Sequence, residues 1–225
     1  MTQSLLSLSM LFLAFISANG YAQDPAKRDP QQMHRLHNDP TAYMNALEDP
    51  KRDEYQKPHE VLTALNIKPG EVVADIGAGT GYFTFRLAHF VGDKGKVYAV
   101  DVSPDMIRHI NRRSRDTKAV NVVSILAELD DPLLPDRSVN RFFICDVWHH
   151  VENQTKYLAL MKKMLKPGGE IVMIDFHKKE LPFGPPLQMK IAREDVIKQM
   201  QANGFRISKE HSFLPHQYFL VFMAK

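Results

Sequence analysis

Cysteine is almost missing from this chain: Cys145 is the single one in 225 residues. One thiol excludes an intrachain disulfide and any zinc or iron–sulfur centre built on several cysteines. An excess of one charge is missing too. The 29 Lys and Arg stand against 26 Asp and Glu, a net charge of +3, too balanced for a nucleic-acid footprint, which needs basic residues gathered on one face. The tight basic cluster Arg112, Arg113 and Arg115 reads as a solvated helix end. No nucleic-acid partner is therefore expected. His34, His37, His59 and His89 show no metal-ligand spacing with nearby carboxylates, so no metal site is expected. Internal repeats and low-complexity tracts are absent as well.

The first 22 residues lack Asp, Glu, Lys and Arg altogether. Within them Leu5–Ile16 is apolar at ten of twelve positions, short of the ~20 residues of a spanning helix. Small residues follow, with Ala18/Gly20 or Gly20/Ala22 as the pair a signal peptidase needs. Residues 1–22 are expected to be a cleaved signal peptide, although no Lys or Arg precedes Leu5. That implies export, to the periplasm, with no stable membrane span after cleavage. If the segment is not a working signal, the protein is cytoplasmic.

What is present is an ordinary globular composition, 44% hydrophobic and 24% charged, enough for one good-sized α/β domain. Asp-Pro occurs at 24–25, 29–30, 39–40 and 49–50. Asp caps free helix N–H groups and Pro fits the first helical position, which predicts short helices over 30–37 and 40–47. Residues 23–57 thus form a short helical N-terminal extension, ahead of a domain over 58–225. Pro58–Leu65 reads as a helix with Val61, Leu62 and Leu65 on its apolar face.

From residue 71 strands and helices alternate. Strands are expected at Glu71–Ile76, Lys96–Val100, Val120–Leu126, Val139–Cys145 and Glu170–Phe176. Helices fall at Thr80–Val91, Pro104–Arg115, Gln154–Leu165 and Arg193–Asn203. Two final strands, Phe205–Ser212 and Gln217–Met223, lack an intervening helix and imply an antiparallel pairing. The pattern is that of a Rossmann-like α/β fold: a mostly parallel seven-stranded sheet with helices on both faces.

Asp75-Ile76-Gly77-Ala78-Gly79-Thr80-Gly81 lies where the first strand ends and a helix begins, the place where open α/β sheets bind ligands. Glycines let the backbone turn tightly and approach a ligand. Dinucleotide sites use G-x-G-x-x-G for a pyrophosphate; here the spacing is G-x-G-x-G, with a carboxylate ahead of it. Asp75 would repel a pyrophosphate but suits a ligand carrying an ammonium and a sulfonium, with a carboxylate left for the loop amides. S-adenosylmethionine has all three.

Val72–Phe83 resembles the first motif of class I S-adenosylmethionine-dependent methyltransferases, and the likeness extends over about residues 55–225. The resemblance implies S-adenosylmethionine as cofactor, held by Asp75, Gly77, Ala78, Gly79, Thr80 and Gly81. Asp101, 26 positions after Asp75, matches the acidic residue that grips the ribose hydroxyls. Val102 and Met106 would flank the adenine. Glu128 matches the acidic residue near the adenine amino group, though the family's usual residue there is Asp. Asn140 replaces its customary Asp before the fourth strand, and Lys166-Pro167-Gly168-Gly169 resembles the turn before the fifth.

Cys145-Asp146-Val147-Trp148-His149-His150 resembles the segment that lines the acceptor pocket of small-molecule methyltransferases, including those of quinone biosynthesis. Either His149 or His150 could act as a general base. Asp146 is expected at the cofactor site, Trp148 in the pocket wall, and Cys145 as a buried structural thiol. Tyr55 and the segment 181–186 are placed to close over the pocket. The expected function is methyl transfer to a small-molecule or envelope-associated acceptor. The alternative is an exported adenosyl-ligand-binding protein without transferase activity. The sequence identifies neither the acceptor nor the oligomeric state.

Overall fold

The computed structural model describes residues 39–225. The expected signal peptide and the expected helix at 30–37 lie outside the described residues. The first element is helix α1 (Pro40–Leu47), capped as its Asp-Pro start predicts: Asp39 Oδ1 accepts from the backbone N–H groups of Thr41 and Ala42, both at 3.1 Å. A five-residue helix, α2 (Arg52–Gln56), follows. It has no counterpart in the sequence reading, because one and a half turns are too short to show a period. Then comes α3 (Pro58–Ala64).

The strands are β1 (Val72–Ile76), β2 (Lys96–Asp101), β3 (Val122–Leu126), β4 (Val139–Cys145), β5 (Leu165–Phe176), β6 (Phe205–His211) and β7 (Gln217–Ala224). They form one sheet in the order β3-β2-β1-β4-β5-β7-β6. The first five run parallel; β7 is antiparallel to both β5 and β6. The helices between them are α4 (Thr84–Val91), α5 (Pro104–Thr117), α6 (Gln154–Met164) and α7 (Arg193–Ala202). This is the expected Rossmann-like α/β sheet.

Strand β4 shows how the two cores arise. Phe142 and Ile144 face one side, with Ile171, Met173, Leu158, Met161 and Met200. Phe143 and Cys145 face the other, with Val61, Leu62, Leu87, Val172 and Phe219. Alternation along a strand buried on both faces explains the near-continuous apolar run. Chain order reverses between β1 and β4, so loops after β1, β2, β4 and β5 converge over one crevice.

Three expectations are corrected. The helix read from Thr80 begins at Thr84. Gly79 and Gly81 hold φ of +56° and +86°, and Gly81 N–H bonds to the Ala78 carbonyl at 2.9 Å, so the left-handed turn runs on past Thr80. The turn at 166–169 lies inside β5, which slips register between Val139↔Leu165 and Arg141↔Glu170. Arg113 is no free helix end: it pairs with Glu48 at 3.0 Å, reaches the Thr80 carbonyl at 3.3 Å and stacks over Phe85. It thereby ties α5 to the end of α1.

Candidate active site

The glycine loop is shaped by close approach. Gly77 has φ +68°, and a Cβ there would sit 2.3 Å from Val147 Cγ2; a Cβ on Gly79 would meet Leu47 Cδ1 at 3.1 Å. The loop is therefore pressed between the segment after β4 and helix α1. Most of its amides are spoken for. Gly77 and Ala78 N–H both bond to the Val100 carbonyl, at 2.8 and 3.0 Å, and Gly79 N–H donates to Asp101 Oδ2 at 2.8 Å. Gly77, Ala78, Gly79 and Gly81 thus spend their N–H groups within the protein.

Asp101 also accepts from Ser103 N–H at 2.9 Å, so two backbone donors orient its carboxylate beside the loop. Burial raises its pKa, against the lowering effect of those bonds. Asp75 is buried beneath the loop and accepts from Thr84 Oγ1 at 2.6 Å. Burial pushes its carboxyl up to about 7, partly offset by the Thr84 hydrogen bond and by Arg52. Thr80 is buried with its Oγ1 unpartnered within the protein, a polar atom that a ligand could satisfy.

A cavity of about 120 Å³ opens beside this loop. It is lined by Asp75, Gly77, Ala78, Gly79 and Thr80, and on the far side by Cys145, Asp146, Val147, His149 and His150. Of the expected cofactor residues, Asp101 joins this wall only through Gly79, and Gly81 supports the loop from behind. Met106 is buried; Val102 is half exposed and Glu128 is exposed, bridging to Asp131. The structure does not bring Val102, Met106 or Glu128 into the lining of this cavity. Trp148 is corrected outright. It is fully buried, packed against Tyr157 and donating from Nε1 to Gln199 Oε1 at 3.0 Å, so it is core and not pocket wall.

The two histidines separate clearly. His149 turns inward, its side chain 3% exposed, with Nδ1 2.9 Å from Asp175 Oδ2. His150 is exposed, its ring 4.2 Å from that of His149. Burial alone would lower the His149 pKa; the hydrogen bond to Asp175 and the charges of Asp175 and Asp146 outweigh it and hold it above the usual value. Asp175 is itself buried and oriented by the Phe176 N–H at 2.8 Å. With Nδ1–H directed to that carboxylate, Nε2 keeps its lone pair for a proton. Sequence reasoning missed Asp175. A carboxylate at the end of the buried run Ile174-Asp175-Phe176 was the available signal, since a charge there needs a partner.

Asp146 adopts φ +60°, an uncommon backbone state of the kind that functional sites retain. Its Oδ1 accepts from Gln217 Nε2 at 2.6 Å. Gln217 Oε1 in turn accepts from Gln56 Nε2 at 3.0 Å. Buried Gln56 of α2 therefore docks the N-terminal extension onto the site. Burial, then the charge of Asp175, lifts the Asp146 carboxyl above its ordinary range. Cys145 is buried as expected and also lines the cavity. Tyr55 packs on Phe183 at 4.5 Å, and Phe183 meets the His216 ring edge-on at 4.9 Å. Tyr55 and, from the segment 181–186, Gly184, Pro185 and Pro186 line the cavity. Among the described residues no cluster could hold a metal ion, and no helix is long and apolar enough to cross a membrane.

Comparison with known proteins agrees with this geometry. A methyltransferase domain family matches residues 67–212. The chain is 33% identical over 112 residues to a ubiquinone/menaquinone biosynthesis C-methyltransferase from a Shewanella species, covering 49% of this chain and 45% of that one. It spans about half the length of the curated relatives it matches. A crystal structure of an S-adenosylmethionine-dependent methyltransferase from Aquifex aeolicus superposes with TM-score 0.77 at 28% identity, covering 88% of this chain and all of the other. A phosphoethanolamine N-methyltransferase of Haemonchus contortus, solved with S-adenosylhomocysteine, shares the fold at 20% identity and TM-score 0.58, over 67% of this chain and 37% of that one. The unpartnered Thr80 hydroxyl, the buried Asp75 and the doubly anchored Asp101 fit such a cofactor. With the fold, the loop and these matches in agreement, the chain belongs to the methyltransferase domain family, with S-adenosylmethionine as its cofactor.

Proposed function

We propose that the protein methylates a small-molecule acceptor whose accepting group loses a proton to His149. The observation that carries this reading is the buried His149–Asp175 pair on the cavity wall, at 2.9 Å. A site that only bound an adenosyl ligand would gain nothing from a base held in one tautomer. The bound cofactor supplies an electrophilic methyl group on sulfur. Everything else is the protein's work. The loop, Asp75 and Asp101 fix the cofactor end, and Asp175 aligns the imidazole. Holding the reactants at attack distance supplies much of the acceleration, and His149 Nε2 takes the proton, an effect of roughly 10²–10⁴-fold.

The enclosure narrows the acceptor. Tyr43, Tyr55, Tyr82, Phe83 and Phe176 line the cavity, with Pro185, Pro186 and Met189 beside them. Aromatic walls around one base favour a flat ring bearing an ionisable hydroxyl, methylated at oxygen or at an activated ring carbon. The quinone-biosynthesis C-methyltransferases among the relatives support a ring acceptor. The test is incubation with S-adenosylmethionine and a panel of hydroxylated aromatics, amines and thiols, with products identified by mass spectrometry. Methylated ring products that vanish with His149→Gln are expected. Preferred methylation of amines would overturn the assignment of His149. Tight cofactor binding with no product from any acceptor would favour the binding-module alternative.

A further inference from the structure

The carboxylate of the cofactor's amino-acid half needs a partner, and four of the loop amides expected to serve it are committed elsewhere. Gly77 and Ala78 donate to Val100, Gly79 to Asp101 and Gly81 to Ala78. Helix α4 starts beyond the loop, at Thr84, so its N-terminus is not at the glycines either. The carboxyl groups that line the cavity, Asp75 and Asp146, would repel an anion. Among the described residues lining the cavity, Arg52 is the one Lys or Arg.

Arg52 comes from α2, outside the residues that the methyltransferase domain family matches. Its side chain is 12% exposed. The guanidinium lies 4.0 Å over the Tyr82 ring, at the end of the glycine loop, and Arg86 stacks on the same ring at 4.2 Å. An arginine carries five N–H donors in a planar fork. Here the bonds are one at 3.2 Å to the Leu47 carbonyl and a long one, 3.5 Å, to Gln56 Oε1. The carboxylate facing it, Asp146, stands at 3.9 Å, beyond hydrogen-bond reach. Asp146 spends its Oδ1 on Gln217. A buried guanidinium with so few bonds and so distant a counter-ion calls for an anion, and its fork matches a carboxylate with two parallel bonds. Position favours the cofactor's own carboxylate. Asp101, matched to the ribose hydroxyls, lies at one side of the loop. Arg52, beside Tyr82 and Asp146, lies toward the reaction end where the amino-acid half must extend.

We propose that Arg52 binds the carboxylate of the amino-acid half of S-adenosylmethionine, making the helical extension ahead of the domain part of the cofactor site. The inference rests on the cofactor reading above. Gln56 docking on Gln217 and Cys145 then has a purpose, since it sets α2 where Arg52 can reach the ligand.

The test is calorimetry on the full chain with two ligands, S-adenosylhomocysteine and 5′-methylthioadenosine, the second lacking the carboxylate and the ammonium. Arg52→Gln is expected to weaken S-adenosylhomocysteine by roughly 10- to 100-fold, the worth of charge-assisted bonds. Methylthioadenosine should stay within about twofold of wild type, which also shows that the variant is folded. Arg52→Lys, which keeps the charge and loses the fork, should fall between; it decides the matter if Arg52→Gln does not fold. Equal weakening of both ligands would make Arg52 a structural residue and overturn the proposal. Unchanged S-adenosylhomocysteine binding by Arg52→Gln would overturn it. A wild-type protein that bound neither ligand would instead overturn the cofactor reading itself.

Discussion

His149 and Asp175 are hydrogen-bonded in a nearly dry setting, their side chains 3% and 1% exposed. Their interaction sets the pH dependence of the reaction. A general base must be neutral, so turnover should fall as pH drops through the His149 pKa, which lies above the usual imidazole value. Asp175→Asn removes the hydrogen-bonding carboxylate that raises it and leaves burial, which lowers it. The acid limb of the kcat profile should therefore move to lower pH. At the same time the plateau should drop by roughly 10²–10⁴-fold, because an amide no longer holds Nδ1 as the donor. Steady-state kinetics between pH 5 and 9 separates the two effects. A plateau lost with the limb unmoved would show that Asp175 serves packing alone.

At the scale of elements, the glycine loop is the part where sequence and structure coincide most closely. The tight turn, the close approach and the carboxylates before and after it were legible because each demands a residue type at a spacing: Gly where φ is positive, Asp at two strand ends. The structure shows why Gly77 tolerates nothing else. At φ +68° any side chain is strained, and a Cβ would lie 2.3 and 2.7 Å from the two Val147 methyls. Gly77→Ala should destabilise the fold by about 1–3 kcal/mol and abolish measurable S-adenosylhomocysteine binding. Adding Val147→Ala should recover part of the stability, the steric part, and leave the φ penalty in place. Urea unfolding of the wild type and the two variants measures both. The elements that were not legible have the opposite character. Helix α2 is five residues long and shows no apolar period, so Arg52 and Gln56 could not be placed. Asp175 sits in an apolar strand without a motif, and its role exists only because β5 ends beside the turn after β4. The same long-range packing took Trp148 into the core.

At the scale of the whole molecule, the site costs stability, and the cost depends on pH. Asp75 has a carboxyl pushed up to about 7 by burial, against about 3.9 in an unfolded chain. A group whose folded pKa is raised contributes stability fully present below its unfolded pKa, and that contribution is lost as pH rises toward the folded value. His149, also raised, has the same sign: its contribution is present below about 6.5 and disappears as pH passes its folded pKa. The ligand-free protein should therefore lose thermal stability steadily from about pH 5 to pH 8. Roughly three pKa units at Asp75 correspond to at most about 4 kcal/mol. Asp75→Asn keeps an acceptor for Thr84 and removes the ionisation. It should raise the Tm at pH 8 by several degrees and leave it near wild type at pH 4, while weakening S-adenosylhomocysteine. Saturating S-adenosylhomocysteine at about 100 times its Kd should add about 2.7 kcal/mol to the wild type. NAD should add nothing, given the glycine spacing. Differential scanning calorimetry across this pH range reads all of these. If Asp75→Asn were less stable than wild type at pH 8, the carboxylate would be a structural anchor, and the trade of stability for cofactor binding at this position would be refuted.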